Sequence, residues 1–529
     1  MKSNYPEAPA AAEALLTIER LLQFALQRRL LHRLDVSAAR NGLLDLFCFA
    51  QPFAGSVPDE RLDSPVPLLE LLLDYGYSIS IIESQTVTQR DLLDARIMGF
   101  LMPRPSEVAA AFQKTAERDG IKAATDDFYR LSIDCNYIRM DRIAKNPHWP
   151  HATPYGSLEI TVNLSKPEKD PKEIARLRTL APSSYPSCLL CADNVGYAGR
   201  EDHPARQNLR MIPLRLQDEE WQFQYSPYVY YNEHSIVLKG AHEPMALTHQ
   251  TFARLLDFVD QFPHYFIGSN ADLPIVGGSI LSHDHFQAGR HPFPMESAPL
   301  DAVFMDESKP GIRFGIVRWP MSVLRLNGMS KEGVLDAACR ILDCWKEYSD
   351  EGADVLAYTE QPAGERIPHN TVTPIARMKK NGEYELDLVL RNNRTSERHP
   401  DGIFHPHAHL HHIKKENIGL IEVMGLAVLP GRLKAELEQL ELYLTGQSSE
   451  GAESLCDPAH PLHKHAEWVK RLLDRYGALN TLTEAESILR AETGEKFMEA
   501  LMDAGVFKRN GSGMASFVSF LNSIGLKLV

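Results

Sequence analysis

The sequence predicts an α+β protein in which helical regions flank a strand-rich centre. Three observations carry this. Leu15, Ile18, Leu22 and Leu26 recur at helical spacing near the start. From about Tyr137 the texture changes to short β-branched and aromatic runs broken by Gly, Pro and Asn. The last ~95 residues return to helical periodicity, as in Phe497-Met498-Glu499-Ala500-Leu501-Met502.

The elements follow in chain order. Pro105-Ser106-Glu107 reads as a helix start within the N-terminal region, 1–135. Ser157-Leu158-Glu159-Ile160-Thr161-Val162 and Tyr228-Val229-Tyr230-Tyr231 read as strands of a region spanning 136–298. A region of the same texture spans 299–432, and 433–529 is helical. A chain of 529 residues exceeds one core and suggests two to four domains. At 44% hydrophobic and 24% charged it is ordinary for a globular protein. No apolar run reaches the ~20 residues needed to span a bilayer. The start, Met1-Lys2-Ser3-Asn4-Tyr5-Pro6-Glu7, has no apolar signal core. The formal charge of −14 argues against a nucleic-acid binder, although local Arg and Lys can still hold a phosphorylated ligand. Seven cysteines give no disulfide framework. The expected location is the cytoplasm, away from membranes.

The densest chemistry lies in Gly277-Gly278-Ser279-Ile280-Leu281-Ser282-His283-Asp284-His285-Phe286-Gln287. On a strand, His283, His285 and Gln287 share one face. Two imidazoles and an amide there give up core burial for a reactive surface. The preceding glycines let backbone approach a bulky ligand such as a phosphate. Cys188-Leu189-Leu190-Cys191 is a CxxC, which reads as a zinc knuckle, a redox pair or two reduced core thiols. His405-x-His407-x-His409-x-His411 is a second period-2 polar stripe, a weak internal echo of the first.

The His-x-His-x-Gln pattern resembles the transferase branch of the histidine-triad superfamily. More closely, the chain resembles the class II galactose-1-phosphate uridylyltransferases (the UTP–hexose-1-phosphate type). The likeness extends over nearly the whole length. It includes Leu101-Met102-Pro103-Arg104-Pro105-Ser106-Glu107-Val108, His405-Pro406-His407-Ala408-His409-Leu410-His411-His412 and Gly494-Glu495-Lys496-Phe497. It implies two half-barrel modules of antiparallel sheet covered by helices, of which the first is catalytic. It further implies transfer of UMP from UDP-glucose to galactose 1-phosphate, in galactose metabolism. His285 would be the nucleophile, His283 would orient it through its backbone carbonyl, and Gln287 would hold the phosphoryl oxygens. Asn270, Ser279, Ser282, Arg142 and Lys145 match phosphate-contacting positions, and Tyr225 and Tyr228 a ribose site. Cys188, Cys191, His242 and His283 match a zinc site. Glu296, His369, His407 and His409 match a second, structural metal site holding iron or zinc. No organic cofactor is implied, and a homodimer is allowed. No glutamine in Glu422-Val423-Met424-Gly425-Leu426-Ala427 matches the one that class I relatives use near the sugar.

Gln287 also bears on reaction type. Glutamine has no titratable proton and cannot act as a general acid. Hexose phosphates leave as stable anions without acid help, so a transferase fits better than a hydrolase. The alternatives are a dinucleoside-tetraphosphate phosphorylase and a non-catalytic UDP-sugar-binding protein.

Overall fold

The computed structural model describes residues 11–165, 183–278, 280–361 and 364–529. It is α+β, as expected. In chain order the described strands are β1 His148–Thr153, β2 Gly156–Asn163, β3 Ile212–Leu216, β4 Glu219–Tyr225, β5 Ser235–Lys239, β6 Phe266–Gly268 and β7 His285–Gly289. They continue with β8 Leu300–Met305, β9 Ile312–Val317, β10 Val323–Gly328, β11 Tyr358–Glu360, β12 Arg366–Pro368, β13 Asn370–Met378, β14 Tyr384–Asn392, β15 Leu426–Pro430 and β16 Lys527–Leu528. By compactness the chain forms two units.

The first unit comprises 1–145, 165–229 and 233–243. Its helices begin with Ala11–Gln27, which buries Ile18 and Leu22 but leaves Leu15 and Leu26 only half-buried. The helix Pro105–Asp119 starts where expected. Proline has no N–H to lose at a first turn, and Glu107 accepts from the Arg104 N–H at 2.8 Å. Strands β3, β4 and β5 form an antiparallel meander. Phe128 of the helix Ile121–Asp134 packs on Tyr225 of β4, with ring centroids 5.3 Å apart. Tyr228–Tyr231 is a loop rather than the expected strand, because Val229 takes φ +25° and breaks the extended run.

The second unit comprises 146–164, 230–232 and 244–529. Eight strands run side by side in the order β7-β6-β13-β14-β10-β9-β8-β16, with the pairings inside that run antiparallel. A smaller sheet places β2 between β1 and β15. The helices His249–Gln261 and Lys331–Lys346 lie on the strands, and Trp345 donates its indole N–H to the Thr371 carbonyl at 2.9 Å. The helix Leu482–Ala504 joins the core through Leu489, Phe497 and Leu501. Among the described residues, no helix is long and apolar enough to cross a membrane.

The chain order contains an echo. Three strands (β3, β4, β5), a helix (His249–Gln261) and two strands (β6, β7) are followed by three strands (β8, β9, β10), a helix (Lys331–Lys346) and two strands (β13, β14), with the short β11–β12 hairpin inserted. In the second series β14 takes the place that β7 holds in the first. The histidine stripe is therefore not the counterpart of His283–Gln287. His405–His411 is a loop with one 3-10 turn, Ala408–Leu410. The counterpart strand instead carries Glu385 and Asp387. Both side chains are fully buried beneath Arg325 and Arg377, whose Nε and Nη1 reach Asp387 at 2.7 and 2.8 Å.

Candidate active site and metal centre

Strand β7 places His285 and Gln287 on one face, with Phe286 and Ala288 turned into the core. His283 and Asp284 precede the strand, so the shared-face pattern holds for two of the three expected residues. The His285 Nδ1 lies 2.8 Å from the His283 carbonyl oxygen. That bond makes Nδ1 the protonated nitrogen and leaves Nε2 with its lone pair. Burial lowers the imidazole to about 4, so it is neutral near pH 7. Gln287 pairs with Gly268 across the ladder. Its Oε1 is buried and has no hydrogen-bond partner among the described residues. An amide left that way can take a ligand as its partner. The pair thus offers one nucleophilic nitrogen and one uncommitted amide.

The glycine turn also has a packing reason. A β-carbon on Gly277 would lie 2.6 Å from both the Ala271 and Leu273 carbonyl oxygens. One on Gly278 would lie 2.7 Å from Asn270 Nδ2. The glycines therefore serve close packing of the loop on itself. Asn270 is buried, and its Oδ1 accepts from the Leu420 N–H at 2.9 Å. Ser282 is exposed just before His283; Ser279 lies outside the described residues. Arg142 donates from Nη1 and Nη2 to Asp91 at 3.0 and 2.6 Å, so its guanidinium is committed to a carboxylate. Lys145 is exposed. Tyr225 donates its hydroxyl to the Thr125 carbonyl at 2.9 Å.

Cys188, Cys191, His242 and His283 each offer one ligand atom, and those atoms all lie within 4.8 Å of one another. The sulfurs are 3.4 Å apart, and Cys191 Sγ is 3.0 Å from His242 Nδ1. Tetrahedral zinc with bonds of about 2.0–2.3 Å needs donor separations only slightly longer. The knuckle is braced. Asn194 Nδ2 donates to the Cys188 and Cys191 carbonyls at 2.8 and 2.9 Å, and its Oδ1 meets His203 Nε2 at 2.7 Å. The Leu190 N–H points at Cys188 Sγ, 3.3 Å away. Burial, with Cys188 beside it, pushes the Cys191 thiol up to about 11. A bound cation supplies the charge that turns such thiols into thiolates.

The second expected metal set does not converge. His369 binds Thr359 Oγ1 and Asn393 Oδ1 at 2.7 and 2.8 Å, His407 pairs with Asp503 at 3.3 Å, and His409 pairs with Glu499 at 3.3 Å. Each imidazole is taken by a different neighbour. Among the described residues, the Cys–His group is the one set of three or more such donors within reach of a single ion.

The sequence reading missed the segment that backs the glycine turn. Asn417 Nδ2 donates to the Gly277 carbonyl at 3.2 Å, and the fully buried Arg391 donates from Nη2 to the Ile418 carbonyl at 2.9 Å. The signal available was Arg391 itself, an arginine inside the β-patterned run Tyr384–Asn392.

Comparison with known proteins gives one answer. The family model described as "Galactose-1-phosphate uridyl transferase, N-terminal domain" matches residues 67–244, and its C-terminal counterpart matches 258–455. The chain is 57% identical to the galactose-1-phosphate uridylyltransferase of Caldanaerobacter subterraneus subsp. tengcongensis, over 97% of this chain and 99% of that protein. It is 52% identical to that of Halalkalibacterium halodurans, over 96% and 98%. It is 49% identical to that of Bacillus subtilis, over 97% and 98%.

Proposed function

The chain belongs to the galactose-1-phosphate uridylyltransferase family, and on that premise we propose that it moves UMP from UDP-glucose to galactose 1-phosphate through a covalent adduct on His285. The observation that carries the adduct is the 2.8 Å bond from His285 Nδ1 to the His283 carbonyl. It aims the lone pair of Nε2 outward from the strand.

The steps balance. Nε2 attacks the α-phosphorus of UDP-glucose, the bond from that phosphorus to the bridging oxygen breaks, and glucose 1-phosphate departs with both bonding electrons. The uridylyl-imidazole then meets an oxygen of the galactose 1-phosphate phosphate group. The N–P bond breaks, and UDP-galactose leaves. Neither departure needs an acid, which fits Gln287. The uncommitted amide of Gln287 turns its NH₂ to the non-bridging oxygens, where negative charge shifts during attack. Asn270 and the 277–282 turn frame the phosphates; Ser279, Ser282, Arg142 and Lys145 are assigned there on the resemblance alone.

Zinc fits the donor set Cys188, Cys191, His242 and His283. When bound it supplies a structural cross-link that fixes His283, and with it the carbonyl that orients His285. The parallel order of strands and helix supports two duplicated modules, 136–298 and 299–432, between helical regions 1–135 and 433–529.

Purified protein given UDP-glucose and galactose 1-phosphate is expected to form glucose 1-phosphate and UDP-galactose in equal amounts. Failure to form either, with properly folded protein, removes the proposal.

A further inference from the structure

The segment that carries the histidine stripe reaches the glycine turn. Residues 402–420 of the second unit run against the turn that leads into His283. Three contacts tie the two together. Asn417 Nδ2 donates to the Gly277 carbonyl at 3.2 Å. The Leu420 N–H donates to Asn270 Oδ1 at 2.9 Å. Ile275 is a β-branched residue held at φ +73°, which is costly and persists only where neighbours over-determine it. Its Cγ2 abuts Gly402. A β-carbon there would lie 2.8 Å from it and 2.9 Å from His405 Cβ.

The segment is itself anchored. Arg391, buried on β14, holds the Ile418 carbonyl from Nη2 at 2.9 Å. Lys414 Nζ binds Glu422 Oε1 at 2.9 Å, and Glu422 Oε2 accepts from the Gly419 N–H at 3.2 Å. His405 Nδ1 lies 3.1 Å from the Pro406 carbonyl oxygen.

We infer that 402–420 is a strap that positions the glycine turn of the reactive strand, and that Asn417 is its positioning residue. Asn417 acts on the reaction through the Gly277 carbonyl alone. The second module, which lacks the nucleophile, thereby sets the geometry of the turn beside it. The inference rests on the uridylyl-transfer reading above.

The test compares wild type with Asn417→Ala and Asn417→Asp in steady-state exchange of glucose 1-phosphate into UDP-glucose. Melting temperature and single-turnover burst amplitude are measured alongside. Alanine removes one donor, so kcat is expected to fall roughly fivefold to tenfold, the worth of one hydrogen bond. Aspartate turns a carboxylate toward the Gly277 carbonyl and is expected to fall further, roughly 30-fold or more. Both variants should melt within about 2 °C of wild type, because a single partly exposed polar contact is removed. Both should keep full burst amplitude with a slower burst. If wild type shows no exchange, the transfer reading fails and the strap's role fails with it. If wild type is active and both variants match it, the strap alone is overturned. It is overturned equally if burst amplitude and melting temperature fall while the rate per active site holds, which marks a merely structural contact.

Discussion

Asp387→Asn is expected to be among the most destabilising single-atom exchanges in the chain. Asp387 accepts from Arg325 Nε and Nη2 at 2.7 and 2.9 Å and from Arg377 Nη1 at 2.8 Å. Glu385 beside it accepts from Arg377 Nη1 at 2.9 Å and Asn327 Nδ2 at 2.9 Å, and pairs with Lys379 at 2.7 Å. Burial pushes the Asp387 carboxyl up, but the two arginines outweigh it and hold it below its ordinary value. The cluster sets three cations against two anions. Asparagine at 387 leaves three against one, with an NH₂ facing a guanidinium. Breaking a buried pair in this way costs about 3–5 kcal/mol. Arg377→Met is milder. It leaves two cations against two anions, Asp387 keeps both bonds from Arg325, and Glu385 keeps Lys379; the loss is about 1–3 kcal/mol, that of charged hydrogen bonds. The assay is urea unfolding followed by tryptophan fluorescence, since Trp149, Trp319, Trp345 and Trp468 all lie in this unit. With a slope of about 3 kcal/mol/M, the Asp387→Asn midpoint falls by about 1–1.7 M. A fall below about 0.3 M, or a larger one in Arg377→Met, refutes the charge argument.

Three further outcomes are expected. Cys188→Ser should lose stoichiometric zinc and melting temperature together, because site formation is coupled to folding; full activity of metal-free wild-type protein contradicts this. Gln287→Ala should cut turnover roughly 10²-fold without adding an acidic limb to the rate profile; near-normal turnover makes the amide a bystander. Acid should loosen the packing of the helices Arg432–Leu444 and Ala466–Tyr476. Burial lowers His412 to about 3, while His465, Lys464 and Arg432 overcome burial and hold Glu436 at about 2. Both groups are depressed below their ordinary values, so their stabilisation is present above those values. It is lost as pH falls, from about 6.5 for His412 and from about 4.5 for Glu436. Melting temperature should therefore drop between pH 7 and pH 4.5, less so in His412→Gln; equal melting at the two pH values rules this out.

Much of the site was legible because its chemistry is written locally. His285 and Gln287 declare a shared face by their spacing alone, and CxxC offers a zinc knuckle as one of three readings. The helix at Pro105 follows from proline and glutamate at fixed offsets. What was not legible depends on partners far along the chain. Glu385 and Asp387 carry no local sign of burial, yet cross-strand arginines neutralise them in a core. His405–His411 reads as a strand, yet its imidazoles are drawn to separate neighbours and the backbone turns at Ala408–Leu410. Asn417 carries no local signal, since its partner Gly277 lies 140 residues away in sequence. The glycine pair is plain in the sequence, but the packing that requires it is not, because the clashing carbonyls belong to the folded loop.

The central claim is that His285 becomes covalently uridylylated. The most direct measurement is the intact mass of the protein after incubation with UDP-glucose alone. A gain of one uridylyl group is expected, mapped to the peptide holding His283 and His285, and matched by a burst of glucose 1-phosphate no larger than the enzyme present. The adduct should be acid-labile, and His285→Ala should abolish adduct and burst together. An active protein that gains no mass, with intersecting lines when both substrates are varied, would show direct transfer between bound sugars and leave His285 a binding group.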